Sequence, residues 1–261
     1  MEMLVNDKRV NYQDSGRGEA LVLLHGFTET LDMWDDFSSE LSADYRVVRI
    51  DLPGHGGSEC AGEVHTMAFM ADVVKAVLDH LSIRKCLVVG HSMGGYVALA
   101  FARKYGFMLR GLGLFHSSAF ADTVQVREAR MKAMVVVREN HHDFLTGFIP
   151  DLFAPENRER FKEDIAMLLE RAKRMPKEGV MASLMGMRER PDATDVLASV
   201  NCPVMFIAGH KDSRIPVKSV QEQILFPDIS YALFLKNAGH MGFLEERDRA
   251  VAFVRHFLSS C

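Results

Sequence analysis

The chain has few of the features that define specialised classes of protein. Its four cysteines, Cys60, Cys86, Cys202 and Cys261, are far apart, unlike the paired cysteines of zinc sites or secreted disulfide scaffolds. No segment approaches the roughly 20 apolar residues that span a bilayer. Residues 1–8 already contain acids and a base, so we expect no signal peptide. These absences predict a cytoplasmic protein with reduced thiols and no membrane partner.

Runs of one charge are also missing. Lys and Arg number 31 against 35 Asp and Glu, for a net charge of −4, and neither sign clusters enough to follow a phosphate backbone. We therefore expect no nucleic-acid partner. Hydrophobic residues make up 48% of the 261 residues, which is ordinary for a globular enzyme and allows a large core.

Short apolar runs alternate with segments of helical period along most of the chain. The runs occupy residues 20–24, 46–50, 86–89, 111–115, 204–207 and 231–235. Each has the length of a buried strand, and a first pair near 3–6 and 9–14 would form an antiparallel edge. Helical faces follow from Phe69, Val73, Val77 and Leu81, and from Val97, Phe101 and Tyr105. The pattern predicts an α/β fold with a mostly parallel sheet and helices on both faces.

One stretch interrupts this alternation. Residues 120–191 contain no convincing strand, and their prolines would separate three or four helices. We interpret 120–191 as a helical insertion, or lid, in a core formed by 1–119 and 192–261. Its seven methionines lie between Met131 and Met187. They would suit an adaptable roof over an apolar pocket, or they would only fill gaps in the core.

The sequence Gly90-His91-Ser92-Met93-Gly94 matches G-x-S-x-G, the nucleophile elbow. The motif alone is weak evidence, but here an apolar run precedes it and a helical segment follows it, as the elbow requires. Gly90 and Gly94 would leave room for close backbones on either side of Ser92. The helix that follows would place backbone N–H groups near an oxyanion formed at Ser92.

With these features the chain resembles the α/β-hydrolases, and specifically single-domain serine esterases with a helical lid. The resemblance covers nearly the whole chain and rests on His25-Gly26-Phe27, residues 51–58, the elbow at Ser92, residues 209–212 and Gly239-His240, in the family's order. It implies an eight-stranded α/β-hydrolase fold with an inserted lid. Asp51 and His55, in the 51–58 segment, are expected to shape a loop and not to act in catalysis.

The chain has eleven histidines, of which His240 is the best candidate for the general base. It follows the last predicted strand in a turn of small residues, at the sheet edge where open α/β folds gather their sites. His91 neighbours Ser92, but a neighbour in an elbow points away from the nucleophile, so we expect a packed or hydrogen-bonded role. His25 and His116 end other strands and could line the pocket or be structural.

A further assignment follows from chain order. Asp212 follows the strand at 204–207 and precedes His240, giving the order Ser, Asp, His. Some family members carry the acid after the preceding strand, near Asp122 here, although Asp122 is equally explained as a helix-start residue. His141-His142 lacks the spacing of metal ligands and is expected to be solvated. No metal site is predicted.

The resemblance also selects the oxyanion hole and the reaction. The backbone N–H groups of Phe27 and Met93 would bind the oxyanion. The leading hypothesis is a serine hydrolase that cleaves a small or medium carboxylic ester through an acyl-enzyme, without a metal or organic cofactor. A serine at the elbow argues against haloalkane dehalogenases and epoxide hydrolases, which use Asp there.

Several alternatives share the same residues. Carbon–carbon bond hydrolases, lactonases, thioesterases and cofactor-free perhydrolases use the same triad. Lidded folds with intact triads also serve as small-ligand receptors with very slow turnover. A pure scaffold would have to retain every motif without using it. The sequence does not identify the substrate, because specificity in this fold depends on the shape of the lid and pocket.

Overall fold

A computed structural model describes residues 1–261. Its eight strands form one sheet in the order β1-β2-β4-β3-β5-β6-β7-β8. The strands are β1 (Glu2–Val5), β2 (Lys8–Ser15), β3 (Glu19–Leu24), β4 (Tyr45–Ile50), β5 (Cys86–His91), β6 (Leu109–Phe115), β7 (Val204–Gly209) and β8 (Ser230–Leu235). The pairs β1–β2 and β2–β4 are antiparallel, and all the others are parallel. The predicted parallel sheet with an antiparallel edge is confirmed.

The helices that precede β6 or follow β7 cover the two faces of this sheet. They are α1 (Asp35–Leu41), α2 (Met67–His80), α3 (Met93–Tyr105), α8 (Val217–Gln223), α9 (Gly242–Glu245) and α10 (Arg247–Leu258). Alternate residues of β3 divide between two buried clusters: Val22 and Leu24 join α2 and α3, whereas Leu21 and Leu23 join α1 and α10. This division follows from the two-residue period of a strand, and it confirms helices on both faces.

Between β6 and β7 the chain forms helices only. They are α4 (Val124–Phe148), α5 (Lys162–Lys173), α6 (Lys177–Glu189) and α7 (Thr194–Ser199), with short 3₁₀ turns at Pro150–Leu152 and Pro155–Asn157. The prolines lie between these helices or at their first turns, as predicted. α4 contains a kink at Asn140, whose backbone is not helical. The Asn140 Oδ1 accepts the Asp143 N–H at 3.2 Å, so it caps the second half of α4.

The carboxyl ends of the parallel strands point to one edge of the sheet, where the loops after β3, β5, β6, β7 and β8 meet. Phe27, Ser92, Asp212 and His240, which the sequence analysis selected for chemistry, lie in these loops, and Met93 opens the helix after Ser92. No helix of the chain is both long enough and apolar enough to cross a membrane.

Candidate active site

Ser92 lies at the junction of β5 and α3 with a strained backbone. Its φ of +49° and ψ of −114° fall outside the regions that L-residues ordinarily occupy, at a cost of about 1–3 kcal/mol. Its N–H donates to Phe115 O at 2.9 Å, and its carbonyl accepts the Gly95 N–H at 3.0 Å. The turn therefore holds the serine side chain at the carboxyl edge of the sheet.

The two motif glycines allow this turn. A Cβ on Gly90 would lie 2.2 Å from Gly94 O, and a Cβ on Gly94 would lie 2.4 Å from Leu24 O. Both distances are shorter than any side chain tolerates, so the elbow needs glycine at both positions. The close approach anticipated from the motif is present.

Ser92, His240 and Asp212 form a hydrogen-bonded chain. The Ser92 Oγ lies 2.9 Å from His240 Nε2, and His240 Nδ1 lies 2.8 Å from Asp212 Oδ2 and 3.0 Å from Oδ1. A carboxylate only accepts hydrogen bonds, so Nδ1 carries the proton and Nε2 is free to accept from the serine hydroxyl. The structure thus brings together the three residues that chain order selected.

Asp212 is buried and fully hydrogen-bonded. Its Oδ1 also accepts the N–H groups of Arg214 and Ile215 at 2.7 and 3.0 Å. Burial alone would raise the pKa of Asp212, but the facing His240 and His116 rings lower that pKa well below its usual range. The carboxylate therefore stays ionised wherever the protein is folded near neutral pH.

A second imidazole shares this carboxylate. His116 directly follows β6, and its Nδ1 donates to Asp212 Oδ2 at 2.9 Å. Its Nε2 is buried and has no hydrogen-bond partner. Burial lowers the pKa of His116 to about 4 despite the neighbouring Asp212, so the ring is neutral near pH 7. The sequence left open whether His116 lines a pocket. In the structure, its ring bonds to the Asp212 carboxylate.

The predicted oxyanion hole consists of two backbone N–H groups. The Phe27 N–H, in the loop after β3, donates to no acceptor in the protein. Met93 opens α3 directly after Ser92, and the first N–H groups of a helix have no partner within it. The Phe27 ring packs edge to face on Phe148 of α4 with centroids 5.6 Å apart. Neither N–H group is therefore committed to an acceptor within the protein.

His91 is buried beside this site and bridges two other segments. Its Nδ1 lies 2.9 Å from Glu29 Oε2, and its Nε2 lies 2.9 Å from the His240 carbonyl oxygen. The same Glu29 Oε2 accepts the Gly26 N–H at 2.6 Å. The packed, hydrogen-bonded role predicted for His91 fits these contacts, but the sequence analysis did not select Glu29. An acid three residues after His25-Gly26 was the only available signal.

The remaining candidates have structural partners. His25 Nε2 accepts the Leu52 N–H at 2.9 Å, and the Asp51 carboxylate accepts the N–H groups of Leu31 and Gly57. His55 is buried next to His25 and bonds only to the Pro53 carbonyl. These contacts fit the loop-shaping role expected of Asp51 and His55.

The alternative acid and the histidine pair lie elsewhere. Asp122 forms ion pairs with Arg130 and Arg190, both within the insertion, and His240 bonds to Asp212 instead. Of the adjacent pair, His142 is exposed and His141 is partly exposed. The only group of three side chains close enough to share a metal ion is His116, Asp212 and His240, with ligand atoms within 4.8 Å of one another. A metal ion there would have to replace the hydrogen bonds of Asp212.

Comparisons with known proteins agree on the family and the fold. The sequence model of the alpha/beta hydrolase family matches residues 21–253. A thermophilic esterase from Thermogutta terrifontis, solved with malate bound, superposes with a TM-score of 0.92 at 33% identity, over 97% of this chain and 94% of that one.

Two curated relatives illustrate the range of named activities. The pimeloyl-[acyl-carrier protein] methyl ester esterase of Vibrio cholerae is 28% identical over 91% of this chain and 93% of its own length. The dihydrolipoyllysine-residue acetyltransferase component of the acetoin cleaving system of Pseudomonas putida is 30% identical over 91% of this chain. The alignment spans only 64% of that relative's length.

Proposed function

This chain belongs to the alpha/beta hydrolase family, and we propose that it is a serine hydrolase that cleaves a small or medium carboxylic ester through an acyl-enzyme. The observation that carries the proposal is the hydrogen-bonded chain from Ser92 Oγ through His240 to Asp212. Two of the similar proteins are named esterases, and one of these acts on a methyl ester. Both findings favour an ester as the bond that is cleaved.

In the acylation step, Ser92 Oγ attacks the ester carbonyl carbon while His240 Nε2 takes the hydroxyl proton. Asp212 accepts the Nδ1–H throughout, which fixes the tautomer and stabilises the imidazolium that forms. The carbonyl oxygen becomes an oxyanion that receives the N–H groups of Phe27 and Met93. As the tetrahedral intermediate collapses, His240 returns the proton to the leaving alcohol.

Deacylation repeats these steps with water. His240 Nε2 accepts a proton from a water molecule whose oxygen attacks the acyl carbon, and the same N–H groups receive the second oxyanion. The intermediate then expels Ser92 Oγ, which regains its proton from His240. The free acid leaves, and the starting hydrogen-bonded chain is restored.

The nucleophile can be tested with a fluorophosphonate probe, which reacts covalently with activated serines. The wild-type chain should be labelled, and Ser92→Ala should not. The control is Ser38→Ala, which replaces a buried serine of α1 outside the site and should be labelled like the wild type. Equal labelling of wild type and Ser92→Ala would rule out Ser92 as the nucleophile.

The bond can be tested with steady-state kinetics on short p-nitrophenyl esters and on matched lactone and thioester substrates. An esterase should turn over the esters with the highest kcat/KM. A higher kcat/KM for a lactone or thioester would be consistent with the triad but would show that the substrate is not a simple ester. Probe labelling together with a turnover of less than about one per hour would instead favour a small-ligand receptor.

A further inference from the structure

Three loops supply the groups of the proposed reaction: the loop after β3 with Phe27, the elbow with Ser92, and the loop after β8 with His240. These three loops are far apart in the sequence. Glu29, from the first loop, and His91, from the elbow, are 4% and 1% exposed, and their side chains lie between the three segments. Both side chains bond to backbone atoms of these segments.

Glu29 and His91 bond to the backbone at, or next to, residues that act in the proposed reaction. Glu29 Oε2 accepts the N–H of Gly26, whose carbonyl carbon is bonded to the Phe27 nitrogen that would bind the oxyanion. His91 Nε2 lies 2.9 Å from the carbonyl oxygen of His240 itself. One hydrogen-bonded bridge thus runs from the oxyanion loop through Glu29 and His91 to the backbone of the base.

The hydrogen-bond partners of His91 indicate the charge of its ring. Both nitrogens of His91 face atoms that only accept hydrogen bonds, the Glu29 carboxylate and the His240 carbonyl. A neutral imidazole can donate to only one of them, so an imidazolium satisfies both. Burial opposes that charge, but the Glu29 carboxylate raises the pKa of His91 above its ordinary value. The pair is then a buried ion pair in which both ring nitrogens of His91 and the Oε2 of Glu29 are hydrogen-bonded.

Other ionisable groups also surround this pair. His25 lies close to both members, and the Asp212 carboxylate further favours the charge on His91. The ring centroids of His240 and His116 lie 5.0 and 5.9 Å from that of His91. The Glu29 and Asp212 carboxylates supply two negative charges around these rings, and an imidazolium at His91 offsets one of them.

We propose that Glu29 and His91 are positioning residues that lock the oxyanion loop and the base loop to the nucleophile elbow through a buried carboxylate–imidazolium pair. The proposal rests on the proposed function, because it assigns the pair to the same reaction. Neither side chain touches Ser92 Oγ. Errors of about 1 Å in the placement of catalytic groups can cost a hundredfold in rate, so the pair should act on kcat.

The kinetic test is a double-mutant cycle of Glu29→Gln and His91→Gln. Each single variant should lower kcat at least tenfold and change KM less than twofold, because substrate contacts are untouched. The double variant should lose no more than the worse single variant, since the two residues act as one unit. Unchanged kcat, or losses that multiply, would overturn the proposal.

The matched control is Asp14→Asn, which breaks the ion pair of Asp14 with Arg46 on β2 and β4. This change removes a mostly buried carboxylate outside the site, so it should lower the melting temperature and leave kcat unchanged. Enzyme concentrations are set by titration with the fluorophosphonate probe, so that kcat refers only to folded protein. An equal loss of kcat in Asp14→Asn would assign the effect to stability and overturn the proposal.

The second test does not depend on activity. In Ser92→Ala protein, ¹⁵N NMR should show both His91 ring nitrogens protonated, with a titration midpoint above the ordinary 6.5. Glu29→Gln should move that midpoint below 6.5, because burial then acts without the carboxylate. A midpoint below 6.5 in the Ser92→Ala protein with Glu29 intact would overturn the ion pair. Failure of the proposed function would appear separately, as absent labelling of Ser92 with the His91 titration intact.

Discussion

Two residues at the ends of neighbouring central strands have a backbone conformation that L-residues rarely adopt. Ser92 follows β5 and His116 follows β6, and both have a φ of +49°. Each costs about 1–3 kcal/mol, and such strain persists only where the surrounding structure compels it. In both cases the strained turn aims a side chain at the chemistry: Ser92 at His240, and His116 at Asp212. Both strained turns therefore supply side chains to the hydrogen-bonded group around Asp212.

Asp212 should govern the rate through the tautomer of His240. In Asp212→Asn the amide can donate to Nδ1, which favours the tautomer with a proton on Nε2, and kcat can fall by as much as ~10⁴-fold. The control is Asp122→Asn, which loosens the ion pairs with Arg130 and Arg190 and should cost far less in kcat. Steady-state kinetics on a p-nitrophenyl ester measures both. The reverse order of losses would place the acid on the side of the insertion.

His116 should make the folded state less stable in mild acid. Its pKa is lowered to about 4 from an ordinary 6.5, so between these values the unfolded chain binds a proton that the folded chain does not. Stability therefore falls as the pH drops from 6.5 towards 4. In His116→Asn, whose amide can donate to Asp212 and tolerates a positive φ, this decline should be shallower.

Urea unfolding measured at several pH values between 4 and 7 checks this expectation. His256→Asn is the control, because it removes an exposed histidine of α10 that lies outside the site. His25 and His55 also have lowered pKa values through burial, so part of the slope should remain in His116→Asn. A slope identical to the wild type would show that His116 does not contribute.

At the scale of elements, the sequence pattern predicted the strands closely and the faces of the helices less well. The predicted face of α2 used a four-residue period, and each such step turns 40° away from a straight stripe on a 3.6-residue helix. Phe69 and Leu81, at its two ends, are accordingly only half-buried, whereas Met70 and Val74 are buried. The kink at Asn140 was missed because it depends on a side-chain cap within an otherwise continuous helical segment.

The residues of the candidate site also differ in whether the sequence alone could identify them. Ser92, Asp212 and His240 could be selected because each follows a strand and the order of the three is a chain-wide pattern. Glu29 and the contact of His116 with Asp212 depend on which loops meet in space. No local spacing records a contact between residues 62 or 96 positions apart, so these partners required the structure.

Helix α6 packs on the core through a backbone contact that permits no side chain. A Cβ on Gly186 would lie 1.7 Å from the carbonyl oxygen of His65, just before α2. Gly186→Ala should therefore push α6 away from the core and destabilise the chain by about 1–3 kcal/mol. Gly147→Ala is the matched control, because a Cβ there meets no atom within 4 Å.

Alanine at Gly147 should be neutral or stabilise α4 by about 0.5–1 kcal/mol, because alanine loses less backbone entropy in a helix. Urea unfolding of both variants gives the two free energies. If Gly186→Ala is no less stable than the wild type, α6 does not depend on this contact. The comparison isolates packing from helix propensity, since both glycines are helical and both changes add one methyl group.

At the scale of the whole molecule, the insertion is packed against both buried clusters and against the site. Met134 and Leu184 join the cluster that contains Phe27 and Met93, whereas Leu145 and Leu168 join the other. The backbone carbonyl of Leu152 accepts the His240 N–H at 2.7 Å. We propose that residues 120–191 form a lid on the core of 1–119 and 192–261, and that this lid also holds the base.

A lid of this kind should set substrate preference while the core sets the chemistry. An apolar lid would bind the acyl chain by removing its surface from water, at about 25 cal/mol per Å², so its effect should grow with chain length. Met134 is buried in the same cluster as Phe27, and Met134→Gln should lower kcat/KM more for octanoate than for acetate esters. Met167→Gln changes an exposed methionine of α5 and is the control.

The ratio of kcat/KM for the octanoate ester to that for the acetate ester is the decisive quantity, because a fraction of unfolded enzyme lowers both values equally and cancels. One methylene is worth about 0.8 kcal/mol when buried, so losing contact with even two of them should reduce the ratio about tenfold or more. Met167→Gln should leave the ratio unchanged. A uniform loss across the ester series in Met134→Gln would mean that this methionine supports folding alone. The acyl chain would then have to bind elsewhere on the lid, and the candidates are Phe144 and Phe148, which pack against Phe27 from α4.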